Sequence, residues 1–184
     1  MKLITDRLII REFEKKDIHE LVDNINNLEV SKNLLVVPYP YTKKVAMQWI
    51  SKCKVNAKKT LRKDYDFAIE LKSGKKLIGG IALKDVDQFQ GMAEIGFWLG
   101  EKYWRQGLMS EAIDAVLKFA FEKLSLRRIN WYAFTDNQAS NVLASKTGFV
   151  FEGTYRQGAK CKADNKIHDS NIYGLLREDW KEVK

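Results

Sequence analysis

The stretch YWRQGLMSE, residues 103–111, carries the clearest chemical signal in the chain. It follows an apolar segment at 92–100 and runs into a helical repeat with Ile113, Val116, Leu117, Ala120 and Leu124 on one face. A helix start leaves N–H groups without intrahelical partners and carries partial positive charge, and a glycine there lets another group approach the backbone. Such a turn either caps itself, with Ser110 and Glu111 as ordinary first-turn residues, or holds an anion such as phosphate. It is neither a dinucleotide fingerprint nor a P-loop, because GxGxxG and GK[ST] are both absent.

Other residues suit proton transfer. Glu94 alternates with Gly96 and Trp98 in an apolar strand; facing a cleft it is a general base, facing water a plain surface glutamate. Ser140 offers a hydroxyl as a general acid, or is an ordinary first-turn residue of a helix that Asn137 can cap. Tyr173 reads as a second acid or, more simply, as a core tyrosine. His19 and His168 have no carboxylate or cysteine at ligand spacing, so no metal is expected. Cys53 and Cys161 form no CxxC, which suits reduced thiols in a cytoplasmic protein. Cys161 lies among lysines in RQGAKCKADNK, a setting that can activate a thiol, but one residue is slender support.

The elements that must position these groups are legible as periodicities. Leu8 and Ile10 share one face of a first strand, with Ile9 on the other. Asp17 can cap a helix carrying Ile18, Leu21, Val22 and Ile25, and Thr42 a second with Val45, Trp49 and Val55 as its apolar side. Segments 66–71, 76–86 and 92–100, separated by turn-like KSGK and DQFQG, read as consecutive antiparallel strands. The helix at 110–124 leads to an apolar central strand at 127–134, then a short helix at 137–148 ending on Gly148, and strands at 149–157 and 166–176. The strand–helix–strand unit at 92–134 predicts a parallel crossover inside an otherwise antiparallel α/β sheet with helices on both faces. With no linker, repeat or low-complexity tract, residues 1–184 read as a single domain.

Five blocks occur in a telling order: TDRLIIREFEKKDIHEL, LIGGIAL, AEIGFWLGEKYWRQGLMSEAI, RINWYAFTDNQASNVLASKTGFVFEGTYRQG and IYGLLREDW. Together they resemble the GCN5-related N-acetyltransferase (GNAT) superfamily, and within it the ribosomal-protein N-terminal (alanine) acetyltransferase group. The resemblance implies a mostly antiparallel sheet of about seven strands, splayed between 92–99 and 127–134. It implies acetyl-coenzyme A as co-substrate and no metal. Main-chain N–H groups of Arg105, Gln106, Gly107, Leu108, Met109 and Ser110 would wrap the pyrophosphate. The main chain of Phe97, Trp98 and Leu99 would bind the pantetheine arm and aim an N–H at the thioester oxygen, with Asn137 as a further partner of the arm. Glu94 would act as base, directly or through water, and Ser140 as acid toward the leaving thiolate. Trp104 stands where the family carries Gln or Arg, and Met109 where it carries a small residue, so a bulkier turn is expected.

The implied reaction is transfer of acetyl to a primary amine by direct attack. An α-amino group is neutral in roughly a tenth of molecules at pH 7 and a lysine in under about one in a thousand, so a modest base suffices for a protein or peptide N-terminus. A ribosomal protein is the acceptor the resemblance favours; polyamines and other small amines stay open. The net charge of +8 admits a different class, a non-catalytic basic domain that docks on RNA or senses acyl-coenzyme A. RNP, zinc-finger and GXXG signatures are absent, and DNA is not an expected partner. No run of about 18 apolar residues and no signal-peptide pattern occur, so no membrane association is expected. Apolar surface on the last strands could pair with a second copy in a homodimer.

Overall fold

A computed structural model describes residues 1–181. Its eight-stranded sheet begins with a hairpin: β1 (Lys2–Ile4) pairs antiparallel with β2 (Leu8–Glu12). Leu8 and Ile10 are fully buried, as their alternation predicts. Strands β3 (Tyr65–Leu71), β4 (Lys76–Asp87) and β5 (Met92–Leu99) continue the antiparallel meander from β2. Then come β6 (Arg128–Phe134), β7 (Val150–Lys160) and β8 (Ile167–Leu176), in the spatial order β1-β2-β3-β4-β5-β6-β8-β7. Among the described residues only β5 and β6 run parallel, the crossover expected from a strand–helix–strand unit. The strand beyond the expected seven is β1, whose three residues are too few to display a period.

Helices cover both faces. On one side α1 (Ile18–Ile25), the short α2 (Leu28–Ser31) and α3 (Lys43–Ala57) bury Leu21, Ile25, Val30, Ala46, Ile50 and Cys53 against Phe13, Ala68 and Leu77. On the other, α4 (Leu108–Lys118) and α5 (Gln138–Lys146) close a larger core, with Ile113, Val116, Leu117 and Ala120 fully buried. The helix expected at 110–124 begins at Leu108 and ends in a π-helical turn over Phe119–Lys123, which buries Phe119 and Phe121.

Two local expectations are corrected. Asp17 occupies the N-cap position of α1 but does not cap it with its side chain: buried in a bidentate pair with Arg11, it accepts the Glu14 N–H in a capping box of the 3-10 turn Lys15–Asp17. The inner face of α3 is Ala46, Ile50 and Cys53, with Val45 and Trp49 packed half-buried beside it as expected, but Val55 is exposed. Thr42 does cap α3, accepting from the Val45 N–H, and Gly148 ends α5 with φ +89°.

Candidate active site

The parallel pairing of β5 and β6 is short. It runs only through Met92–Arg128, Ala93–Ile129 and Glu94–Asn130, after which the two strands part company. Residues 95–99 stay paired to β4 along one edge, and residues 131–134 to β8, leaving an opening between two otherwise well-paired strands. Glu94 sits at its apex.

The side chain of Glu94 shares a face with Gly96 and Trp98, the face covered by α1 and α3. The Trp98 indole packs onto Gly80 of β4, where a Cβ would come within 2.7 Å of its Nε1. At Gly96 the space is open, and a Cβ would meet nothing within 4 Å. Glu94 thus borders a void on the α1–α3 side of the opening. Burial, and next the carboxylate of Asp85, hold its carboxyl above the usual glutamate range, with the Lys84 ammonium opposing. Asp85 reaches this position through a bulge in β4 and has φ +49°. Lys84 is turned aside, its ammonium bonded to Asp66 at 2.5 Å and lying over the Trp49 ring.

Ser140 approaches the opening from the opposite face, on α5. Its Oγ accepts a hydrogen bond from the Trp131 Nε1 at 3.1 Å, which leaves the hydroxyl proton available for donation. Trp131 is the first β6 residue past the paired stretch, and its ring meets Phe97 edge-on at 4.7 Å and Phe149 at 5.1 Å. The aromatic contact of Phe97 and Trp131 spans the diverging strands on the α4–α5 side. Asn137 caps α5 by accepting the Ser140 N–H. Tyr173 is buried and donates to Asn141 Oδ1 at 2.8 Å.

Beyond β5, the chain turns at Arg105 (φ +59°) and Gly107 (φ +73°) before entering α4. Gly107 is the N-cap residue, and no side chain among the described residues caps this end. The first intrahelical bond runs from Glu111 N–H to the Gly107 carbonyl, so the amides of Leu108, Met109 and Ser110 precede the ladder. Left-handed residues beside helix-terminal amides form a concave donor surface suited to phosphate. The expected bulk at Met109 is corrected: its side chain, with that of Leu108, is buried in the core beneath the turn. Trp104 has a structural use, donating its Nε1 to the Leu99 carbonyl at 2.8 Å and so tying the turn to the end of β5.

Two residues beside the candidate site, Asn141 and Arg7, escape the sequence. Asn141 accepts from Tyr173 and Asn171 while donating to the carbonyls of Phe134 and Asn137, joining β6, β8 and α5. Its spacing of four from Asn137 was the available sign. Asp85 owes its place to a bulge, and Arg7, which touches the turn at Gln106, lies far away in sequence. Arg7 has no local signal for that contact. Cys161 is no nucleophile: fully buried, it packs against the carbonyls of Lys32 and Leu34 beyond α2, and the Lys162 N–H bonds to the Leu35 carbonyl. Among the described residues no cluster suits a metal ion, and no helix is long and apolar enough to cross a membrane.

Comparison with known proteins fits this geometry. Residues 7–150 match the acetyltransferase (GNAT) domain model. The uncharacterized N-acetyltransferase YoaA of Bacillus subtilis is 32% identical over 176 residues, covering 95% of this chain and 96% of that one. The ribosomal-protein-serine acetyltransferase of Escherichia coli is 35% identical over 101 residues, 55% of each chain. A ribosomal L7/L12 α-N-protein acetyltransferase, solved with coenzyme A, shares the fold with a TM-score of 0.85 at 20% identity, covering 96% of this chain and 98% of its own. This chain belongs to the GNAT acetyltransferase family and is an acetyl-coenzyme A-dependent N-acetyltransferase.

Proposed function

We propose that the protein acetylates the α-amino group of a protein or peptide, with Glu94 as base and Ser140 as acid. The observation that carries this reading is the apex of the opening, where a carboxylate borders open space on one face and a hydroxyl with a free proton stands on the other. The turn at 105–110 offers main-chain donors to a diphosphate, and the unpaired edge of 95–99 suits an extended pantetheine arm. The coenzyme A bound in the structurally similar L7/L12 acetyltransferase supports that assignment.

Each proton step has its group. The incoming ammonium loses a proton to Glu94, whose raised basicity matches an α-amine better than an ordinary glutamate would. The neutral amine attacks the thioester carbonyl, whose developing negative charge a main-chain N–H of 97–99 can stabilise. As the carbon–sulfur bond breaks, Ser140 supplies the proton to the thiolate. The names of similar proteins support a ribosomal-protein N-terminus as the acceptor.

Calorimetric titration with acetyl-coenzyme A, desulfo-coenzyme A and ATP tests the coenzyme half of this reading. Binding of the first two without ATP is the expected result. Equal binding of all three would reduce the turn to a generic anion site.

A further inference from the structure

The N-terminal hairpin reaches the proposed coenzyme site through one residue. Arg7, in the turn between β1 and β2, bonds Glu111 Oε2 through its Nε at 2.6 Å and the Gln106 carbonyl through Nη1 at 2.9 Å. Its own main-chain N–H donates to Glu111 Oε1 at 2.8 Å, and the Thr5 hydroxyl adds a bond of 2.5 Å to the same oxygen. The remaining guanidinium nitrogen lies beside Gly107, 3.5 Å from where a Cβ would stand. One side chain therefore grips both the turn that precedes α4 and the first turn of α4 itself.

This grip addresses an electrostatic difficulty. Glu111 is an anion in the first turn of the helix whose N-terminus is proposed to receive two phosphates. Unpaired, it would repel them and compete for the helix's positive end. Burial alone would raise its carboxyl, but hydrogen bonds from Thr5 and from the amide and guanidinium of Arg7 outweigh that and hold it below the usual glutamate range. The same bonds turn the carboxylate toward the hairpin, and the Gln106 contact fixes the carbonyl between the left-handed Arg105 and Gly107.

The geometry points to Arg7 as a positioning residue for the diphosphate of acetyl-coenzyme A: it holds the 105–107 turn open and neutralises Glu111 beside it. This rests on the reading of the turn given above.

The test uses the full chain with Arg7→Ala and Arg7→Lys. Each is compared with wild type for affinity to acetyl-coenzyme A and for turnover with acetyl-pantetheine, which has the arm but no diphosphate. Loss of the forked, charge-assisted contact should weaken acetyl-coenzyme A binding by about tenfold in Arg7→Ala and by less in Arg7→Lys, which keeps the charge but not the fork. The KM for acetyl-coenzyme A should rise in step while kcat at saturation and turnover with acetyl-pantetheine stay within about twofold of wild type. Unchanged affinity in both variants overturns the inference. So does an equal loss with both acetyl donors, which would mark Arg7 as serving only the general integrity of the fold. Should Arg7→Ala fail to fold, the same two results read from Arg7→Lys decide. A wild-type protein that binds no acetyl-coenzyme A would sink the proposed function itself rather than the role of Arg7.

Discussion

Glu94 carries two linked expectations. Acting as base, it must be ionised, so the rate falls as pH drops through its raised pKa, and the acidic limb of the pH–rate profile lies above the ordinary glutamate range. Glu94→Gln should lower kcat by about 10²–10⁴-fold and remove that limb, with acetyl-coenzyme A affinity nearly unchanged. The sign for stability is opposite. A carboxyl whose pKa is raised by folding stabilises the fold while protonated, and that contribution is lost as pH rises through the folded value. Glu94→Gln should therefore melt higher than wild type at pH 8, the advantage shrinking toward pH 4. A variant that loses rate and also melts lower at pH 8 would mean that the ionised carboxylate is stabilising. Gly107 acts through its backbone. Gly107→Ala should cost about 1–2 kcal/mol through the left-handed φ of +73°, since the new Cβ would meet only the end of Arg7, at an ordinary 3.5 Å. Its acetyl-coenzyme A affinity should fall, as calorimetry would read, if the turn cradles the diphosphate.

Among the elements, the opening depends on what holds β5 and β6 apart and what links them. Trp131 does both, packing on Phe97 and orienting Ser140 through its indole N–H. Trp131→Phe keeps an aromatic ring but removes the donor. It should lower kcat in the same direction as Ser140→Ala, by less, with a stability loss of about 1 kcal/mol on melting. If Trp131→Phe left kcat intact while Ser140→Ala lowered it, orientation by the indole would be immaterial. At this scale, periodic elements were readable and relations between elements were not. Leu8, Ile10 and the apolar face of α4 announce themselves because their spacing is local. Of the apolar side expected for α3, Val45 and Trp49 pack on the core, while Val55, in the lysine-rich end of the helix, faces solvent. Asp17 holds the expected N-cap position of α1, but its carboxylate goes to Arg11, a strand residue that no local pattern pairs with it. No period encodes where β5 and β6 stop pairing, since the length of a parallel ladder is settled by packing on both sheet faces. That expectation came from the family resemblance instead.

At the scale of the whole molecule, the proposed site draws on parts that no short window contains. Glu94 lies on β5, Ser140 on α5, and Arg7 in a hairpin at the other end of the sheet. The types of Glu94, Ser140, Asn137 and Gly107 suit the roles proposed for them in a motif, whereas the place of Arg7 beside the turn rests on distant contacts that no local pattern shows. The net charge of +8 suits an anionic coenzyme without identifying the acceptor. Acceptor choice decides the proposed function: purified protein is offered acetyl-coenzyme A and a short serine-initiated peptide containing an internal lysine, beside the same peptide blocked at its N-terminus and beside spermidine. Coenzyme A release is followed and the acetylated nitrogen located by mass spectrometry. Release is expected with the free peptide, with acetyl on its α-nitrogen and little turnover with the blocked one. Acetylation of spermidine or of the lysine, with the α-amine untouched, would contradict the proposed function.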